Sequence, residues 1–179
     1  MIHFEFQSNL TGTREEVWSY VTSKQGILAE MWPLLKMTTP KEMSTLANLK
    51  VGERLFRSYI LLFTILPIDY FDLTLVEFNP DHGFVEESPM RSMKKWRHER
   101  QLVQLSNNSI GVALHSTNFS GNQAHSPSVI AGIPPQTNSA TTLLTDKLTF
   151  QPRFLPGHTK RLVHFFFSHR HRVLRRHFR

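Results

Sequence analysis

The sequence predicts an α+β fold in which an antiparallel sheet carries one long C-terminal helix. Two observations predict it. The chain ends in His158–Arg179, HTKRLVHFFFSHRHRVLRRHFR, with no proline, glycine or acidic residue, long enough for about six turns at 3.6 residues each. Upstream, most of the chain falls into short apolar-alternating runs separated by turn residues, the pattern of hairpin-linked strands. A helix with one apolar stripe next to such a meander is expected to lie on the sheet.

The terminal helix defines two faces. Leu162, Phe165, Phe166, His169 and Val173 recur at i, i+3/i+4, i+7 and are read as the inward stripe. Lys160, Arg161, Arg170, Arg172, Arg175, Arg176 and Arg179 form the opposite, cationic face. They crowd toward the C-terminus, where the helix dipole favours cations. Pro156-Gly157 stops the preceding element, and Thr159 is a candidate cap.

The remaining elements follow in order. Residues 2–7, IHFEFQ, alternate as a strand with Ile2, Phe4 and Phe6 on one face, and Asn9 to Gly12 reads as a turn. Thr13 with Glu16 is a capping-box signature opening a short helix that buries Val17 and Tyr20 or Val21, with Trp18 at its edge. Lys24–Trp32 suggests a second helix ended by Pro33, and 34–49 reads as irregular. Strands are expected at 53–63, 70–78, 84–88, 94–105 and 141–150, with a strong turn at Asn79-Pro80-Asp81-His82-Gly83. Residues 106–139 have no Lys, Arg, Asp or Glu and are rich in Ser, Asn, Gly, Pro and Gln. They read as a flexible polar insertion in a single domain spanning 1–179, with a weak strand at Ile110–Leu114.

Composition bounds the function. At 179 residues, 40% hydrophobic and with 14 Phe and 3 Trp, the chain can bury an aromatic-rich core. The absence of cysteine excludes disulfides, thiolate catalysis and thiolate metal sites. No apolar run of signal-peptide or membrane-spanning type is present, and a cytoplasmic protein is expected. The net charge of +7 is uneven, because the last acidic residue is Asp146. The cationic stripe of Arg172, Arg175, Arg176 and Arg179 therefore suggests weak contact with anionic surfaces and, as an alternative function, a basic-helix binder of nucleic acid or anionic lipid, although solvating the exposed helix face also accounts for it. No specific nucleic acid is expected.

The chain resembles the ligand-binding SRPBCC superfamily, which includes START-like lipid-binding domains, plant pollen allergens and polyketide cyclases. The stretches that carry the resemblance are GILAEMWPLLKMTTP (26–40), GFVEESPM (83–90), WRHER (96–100), TDKLTF (145–150) and FFFSHRHRVLRRHF (165–178). It covers the chain except 106–139, where the relatives look to have a short hairpin turn. The resemblance implies a helix-grip fold, a curved antiparallel sheet wrapped around the last helix. It also implies an apolar cavity between sheet and helix for a small hydrophobic molecule. Phe165, Phe166 and His169 from the helix, and Tyr59, Phe71, Leu73 and Leu75 from strands, are the candidate wall.

The densest polar group is KKWRHER. On a strand, Trp96, His98 and Arg100 share one face, and a hairpin turning near Arg91 puts Glu86 opposite Trp96 on that same face. Asp146 is a further candidate from the neighbouring strand. Two roles are open for this group. It either anchors a ligand's polar end or supplies a His–carboxylate acid–base pair (His98 with Glu86 or Asp146) for cyclase- or hydratase-type chemistry. A buried His98 beside a carboxylate and facing a cavity would favour the enzyme.

Other chemistries lack a signature. No cofactor is expected: there is no Gly-rich phosphate loop, dinucleotide fingerprint or Gly-x-Ser-x-Gly elbow. The ten histidines give no metal site, since His169 and His171 point about 200° apart on a helix. The link LLFTILP (61–67) is read as a hairpin tip with its leucines tucked under the sheet, the alternative being a cavity mouth that touches membrane.

Overall fold

The computed structural model describes residues 1–40, 51–105 and 140–179. Seven strands form one antiparallel sheet in the order β1-β7-β6-β5-β4-β3-β2. The elements are β1 (Ile2–Thr11), α1 (Arg14–Thr22), α2 (Lys24–Met31), β2 (Leu35–Met37), β3 (Arg54–Leu62), β4 (Leu66–Asn79), β5 (Gly83–Glu86), β6 (Met93–Leu105), β7 (Thr141–Pro152) and α3 (Pro156–His177). From β2 to β7 each strand pairs with the next in sequence. β1 closes the far side by pairing with β7 from Ile2↔Phe150 to Thr11↔Thr141. The expected insertion at 106–139, with its strand at 110–114, lies outside the described residues.

Local sequence explains the helix starts. Thr13 forms the full capping box with Glu16: the Thr13 hydroxyl accepts from Glu16 N–H, and the Glu16 carboxylate accepts from Thr13 N–H. Val17, Trp18 and Val21 are buried in the main core with Leu75, Leu102, Leu144 and Leu174, so Trp18 is an interior residue rather than an edge one. Ser23 ends α1 and caps α2 by accepting from Gly26 N–H. A Cβ on Gly26 would stand 2.0 Å from the Tyr20 carbonyl oxygen, so this tight junction requires glycine. The two short helices are thereby held side by side over one end of the sheet.

Three boundaries differ from the sequence reading. Asn9 to Thr11 continue β1 instead of turning, because Thr11 still has a partner in Thr141. Leu35–Met37 form a short edge strand against Ile60–Leu62, in a stretch read as irregular. β4 begins at Leu66, so the tip between β3 and β4 shrinks to three residues, with Phe63 and Thr64 at positive φ.

The terminal helix starts two residues early, at Pro156, with Leu155 as a left-handed N-cap that makes no side-chain cap bond. Thr159 donates to the Phe154 carbonyl rather than capping the start. Its buried residues are Val163, Phe167, His171 and Leu174. The expected stripe is thus displaced by one residue, about 100° of rotation: Leu162 and Phe165 are exposed, and Phe166 and His169 lie at the boundary. Phe165–Phe166–Phe167 satisfies either phase, and tertiary contacts decide between them. His171 reaches Asp146 and Ser8, while Leu174 seals the main core.

Candidate functional site

Between the concave face of the sheet and α3 is a cavity of about 340 Å³. Phe71, Leu73 and Leu75 of β4 form its floor, and Phe56 and Ile60 of β3 extend it. Val21, Ile27 and Met31 close the end under α1 and α2, while Leu162, Val163, Phe166 and Phe167 line the helix side. Polar groups are few, namely Thr39, Asp69 and Ser92, Glu86, His98 and Arg100 on β5 and β6, and Thr159, His169 and Arg170 of α3.

Six of the eight candidate binding residues reach this wall: Phe71, Trp96, His98, Arg100, Phe166 and His169. Tyr59 does not. It pairs with Tyr70 on the outer face and is half exposed, because Ser58, not Tyr59, sits opposite the inward Phe71. The run Ser58-Tyr59-Ile60-Leu61-Leu62 is apolar at both parities, so alternation cannot orient it, and a bulge at Ile60/Leu61 breaks the period. Phe165 also misses the cavity. It points to the outer side of α3, where it borders a separate shallow groove with Phe154, Leu155 and Leu162.

The β5–β6 face forms as expected, with a shifted register. Glu86 pairs with His98, and Phe84 with Arg100, so the hairpin is displaced by two residues from the sequence reading. A shift of two preserves the face, and Glu86, Trp96, His98 and Arg100 remain together on the cavity side. Gly83 permits the start of β5: a Cβ there would meet the Arg100 carbonyl oxygen at 2.1 Å.

Beneath this face lies a buried charged network. Arg100 donates through Nε (2.7 Å) and Nη2 (2.8 Å) to Asp146, and through Nη1 and Nη2 (both 3.0 Å) to Glu30 of α2. Arg170 of α3 also donates to Glu30, at 2.8 and 3.0 Å, and stacks over Phe167. His98 Nε2–H donates to Asp146 Oδ1 at 3.0 Å, and His171 Nε2–H to Asp146 Oδ2 at 3.1 Å. Two carboxylates thus face two guanidiniums, which makes a charge-balanced set tolerable in the interior. Burial opposes the charged form of Asp146, but Arg100 and His98 outweigh it and hold the carboxyl well below the usual carboxylate range. Burial is likewise outweighed at Glu30, by Arg100 and Arg170, and its pKa is lowered.

This network changes what each residue is free to do. Arg100 has its guanidinium spread over two carboxylates, so it braces the wall more than it presents a donor to a ligand. His98 is different. With Nε2–H anchored on Asp146, its Nδ1 faces Glu86 Oε2 at 3.7 Å, beyond hydrogen-bond range. Edge contacts with Phe84 and Phe167, at 5.5 and 5.3 Å between ring centres, fix the ring. Burial disfavours the imidazolium, but Asp146 and Glu86 together outweigh it and raise the His98 pKa. An imidazole on a cavity wall, held by one buried carboxylate and with its second nitrogen toward another, can take up or release a proton there.

Sequence reasoning missed Glu30, Arg170 and His171. Glu30 stood out only as the one acid in the apolar run GILAEMW. Arg170 and His171 were misplaced by the phase of α3. The stripe arginines Arg172, Arg175, Arg176 and Arg179 are all exposed, and Arg175 also donates to Ser8 Oγ at 2.9 Å. Among the described residues, no three His, Asp or Glu side chains are placed to hold a metal ion.

Comparison with known proteins fits this architecture. A family model described as a domain of unknown function, DUF8410, matches residues 8–133 and 132–178. The chain belongs to that family. No curated protein matches the DUF8410 chain in sequence. Among solved structures it is similar to protein CV1439 from Chromobacterium violaceum, at 11% identity and TM-score 0.58, covering 97% of this chain and 94% of that one. Protein XoxI from Bacillus cereus is similar at 15% identity and TM-score 0.57, covering 99% and 96%. A START superfamily protein from Mycobacterium smegmatis is similar at 10% identity and TM-score 0.55, covering 98% and 96%. The sheet wrapped on a terminal helix is the helix-grip fold, which these structures share.

Proposed function

We propose that the protein binds a small, mainly apolar molecule between its sheet and α3, with the molecule's polar end toward His98 and Glu86. The cavity carries this reading. Its volume of about 340 Å³ falls in the range of roughly 300–1,000 Å³ typical of small-molecule sites, and an apolar wall with a few convergent polar groups is their usual chemistry. Phe71, Trp96, Phe166 and His169 would contact the apolar body. Arg100 keeps Asp146 charged and His98 oriented. The helix-grip fold of its structural neighbours supports the reading.

The test is titration of the purified protein with an apolar fluorescent probe, with and without Leu73→Trp, which fills the floor of the cavity. Binding weakened by about tenfold or more in the variant, with an unchanged circular dichroism spectrum, is the expected result. Equal affinity in both proteins would remove the cavity as the binding site.

A second reading is favoured by one observation, the Asp146–His98 pair on the cavity wall with Nδ1 3.7 Å from Glu86 Oε2. In this reading the bound molecule is a substrate, and His98 is the acid–base group for cyclase- or hydratase-type proton transfer. Mass spectrometry of molecules released from protein purified from its own cells would supply the compound. Turnover by the native protein, lost in His98→Asn with binding retained, supports the enzyme. Retained turnover in the variant overturns it.

A further inference from the structure

The cavity wall is rich in hydrogen-bond acceptors, and most of its donors are spent inside the protein. Arg100 and Arg170 give theirs to Asp146 and Glu30. Ser92 donates to Asp69, Thr159 to the Phe154 carbonyl and His169 to the Trp32 carbonyl. Two carboxylates on the wall, Asp69 and Glu86, stand outside this pairing. Among the described residues, Asp69 is met only by neutral donors, the Ser92 hydroxyl and the backbone N–H groups of Tyr70 and Ser92. Glu86 accepts from the Ser88 hydroxyl through Oε1 at 2.6 Å.

The other oxygen of Glu86 has no such donor. His98 directs Nε2–H at Asp146, and its Nδ1 is 3.7 Å from Glu86 Oε2, beyond hydrogen-bond range. Glu30 and Asp146 are matched by Arg100 and Arg170, whereas neither Glu86 nor Asp69 has a Lys or Arg in ion-pair range among the described residues. The Glu86 side chain is nonetheless only 13% exposed. An enclosed carboxylate without a matching cation is costly, and a bound group that brings charged N–H donors offsets that cost.

Aromatic rings frame the same place. Phe84 precedes Glu86 by two residues on one face of β5, and Trp96 precedes its strand partner His98 by two on β6; both line the cavity. Ring faces attract a desolvated cation more than a neutral donor.

We propose that this end of the cavity is an ammonium site, so that the molecule held is an apolar amine with its N–H groups on Glu86 Oε2. This rests on the binding reading above and names the class of the ligand. Glu86 sets the selectivity. A carboxylate or phosphate in the same place would lie against an unmatched charge of its own sign, whereas an ammonium completes the hydrogen bonding of Oε2. The whole chain carries a net charge of +7, so nonspecific attraction would favour an anion. A preference for the amine can therefore come only from the wall.

The experiment is calorimetric titration of the full chain at neutral pH with naphthylmethylamine, naphthalenemethanol and naphthoate, which share one apolar body. The amine is expected to bind about tenfold or more tighter than the carboxylate, with the alcohol between them. Glu86→Gln keeps the size of the side chain and its bond with Ser88 while removing the charge. It should weaken the amine by about tenfold and leave the alcohol within about threefold, whereas a merely structural role would weaken every probe alike. In the native chain, a carboxylate bound as tightly as the amine overturns the ammonium site while leaving the cavity as a binding site. That comparison does not depend on how the variant folds. An amine preference that survives in folded Glu86→Gln overturns Glu86 as its seat. Binding of none of the probes removes the binding reading and the ammonium site together.

Discussion

At the scale of single residues, His98 lies where burial and charge pull its proton in opposite directions. Burial favours the neutral ring, and Asp146 with Glu86 overcomes it, so the folded-state pKa is above the ordinary value of about 6.5. The consequence for stability follows from linkage. The imidazolium's contribution is fully present below about 6.5 and is lost as pH rises through the raised value. Asp146 and Glu30 have lowered pKa values, so their contribution is present above about 4 and is lost as pH falls through their folded values. Urea unfolding followed across pH should therefore show a decline on the alkaline side of about 6.5 that His98→Asn removes, while the acid limb persists. A decline of the same size in the variant would mean that another group titrates there. His98 was legible in the sequence because a strand's two-residue period put Trp96, His98 and Arg100 on one face. Glu30 was not, because Arg100 is 70 residues away along the chain and no local period connects a helix residue to a strand that far downstream.

At the scale of elements, α3 tests how far periodicity reaches. Its existence and approximate length were legible from the uninterrupted apolar–cationic pattern, and its phase was not. Three consecutive phenylalanines flanked by histidines offer two overlapping stripes. The partner surfaces choose Val163, Phe167, His171 and Leu174. The two phases predict opposite outcomes for truncation. Leu174 is fully buried, so Leu174→Ala should cost about 2–5 kcal/mol in chemical denaturation. Phe165 is 52% exposed, so Phe165→Ala should stay within about 0.5 kcal/mol of the native protein. Reversal of that order would restore the sequence-derived stripe. β3 carries the same lesson. Tyr59 was assigned inward from an apolar run without alternation, whereas β4, whose Phe71, Leu73 and Leu75 alternate with polar neighbours, was oriented correctly. Hairpin registers failed more gently, since the two-residue displacement of β5 against β6 left every side chain on its expected face.

At the scale of the whole molecule, the order of strands from β3 to β7 follows from short turns between successive hairpins. The curl that makes a cavity depends on long-range pairing of β1 with β7 and on how the helices are held. Arg100 is the tie. From β6 it bridges Glu30 of α2 and Asp146 of β7, and those acids in turn receive Arg170 and His171 of α3. The Arg100 guanidinium thereby fastens α2 to the sheet, while α3 is held both through Arg170 on Glu30 and directly by His171 on Asp146. Replacing a buried, balanced ion network with apolar residues is often neutral, but removing one partner leaves a charge without compensation. Arg100→Met should therefore lower stability by about 3–5 kcal/mol at neutral pH. The loss should shrink under mildly acidic conditions, because Asp146 and Glu30, deprived of Arg100, are pushed up by burial and can protonate. Denaturation at two pH values checks both parts. A penalty below about 1 kcal/mol that does not change with pH would mean that apolar packing alone holds α2 and α3 over the sheet. A large, pH-dependent penalty would make Arg100 the residue that keeps the cavity closed at its inner end, and its removal should also abolish probe binding.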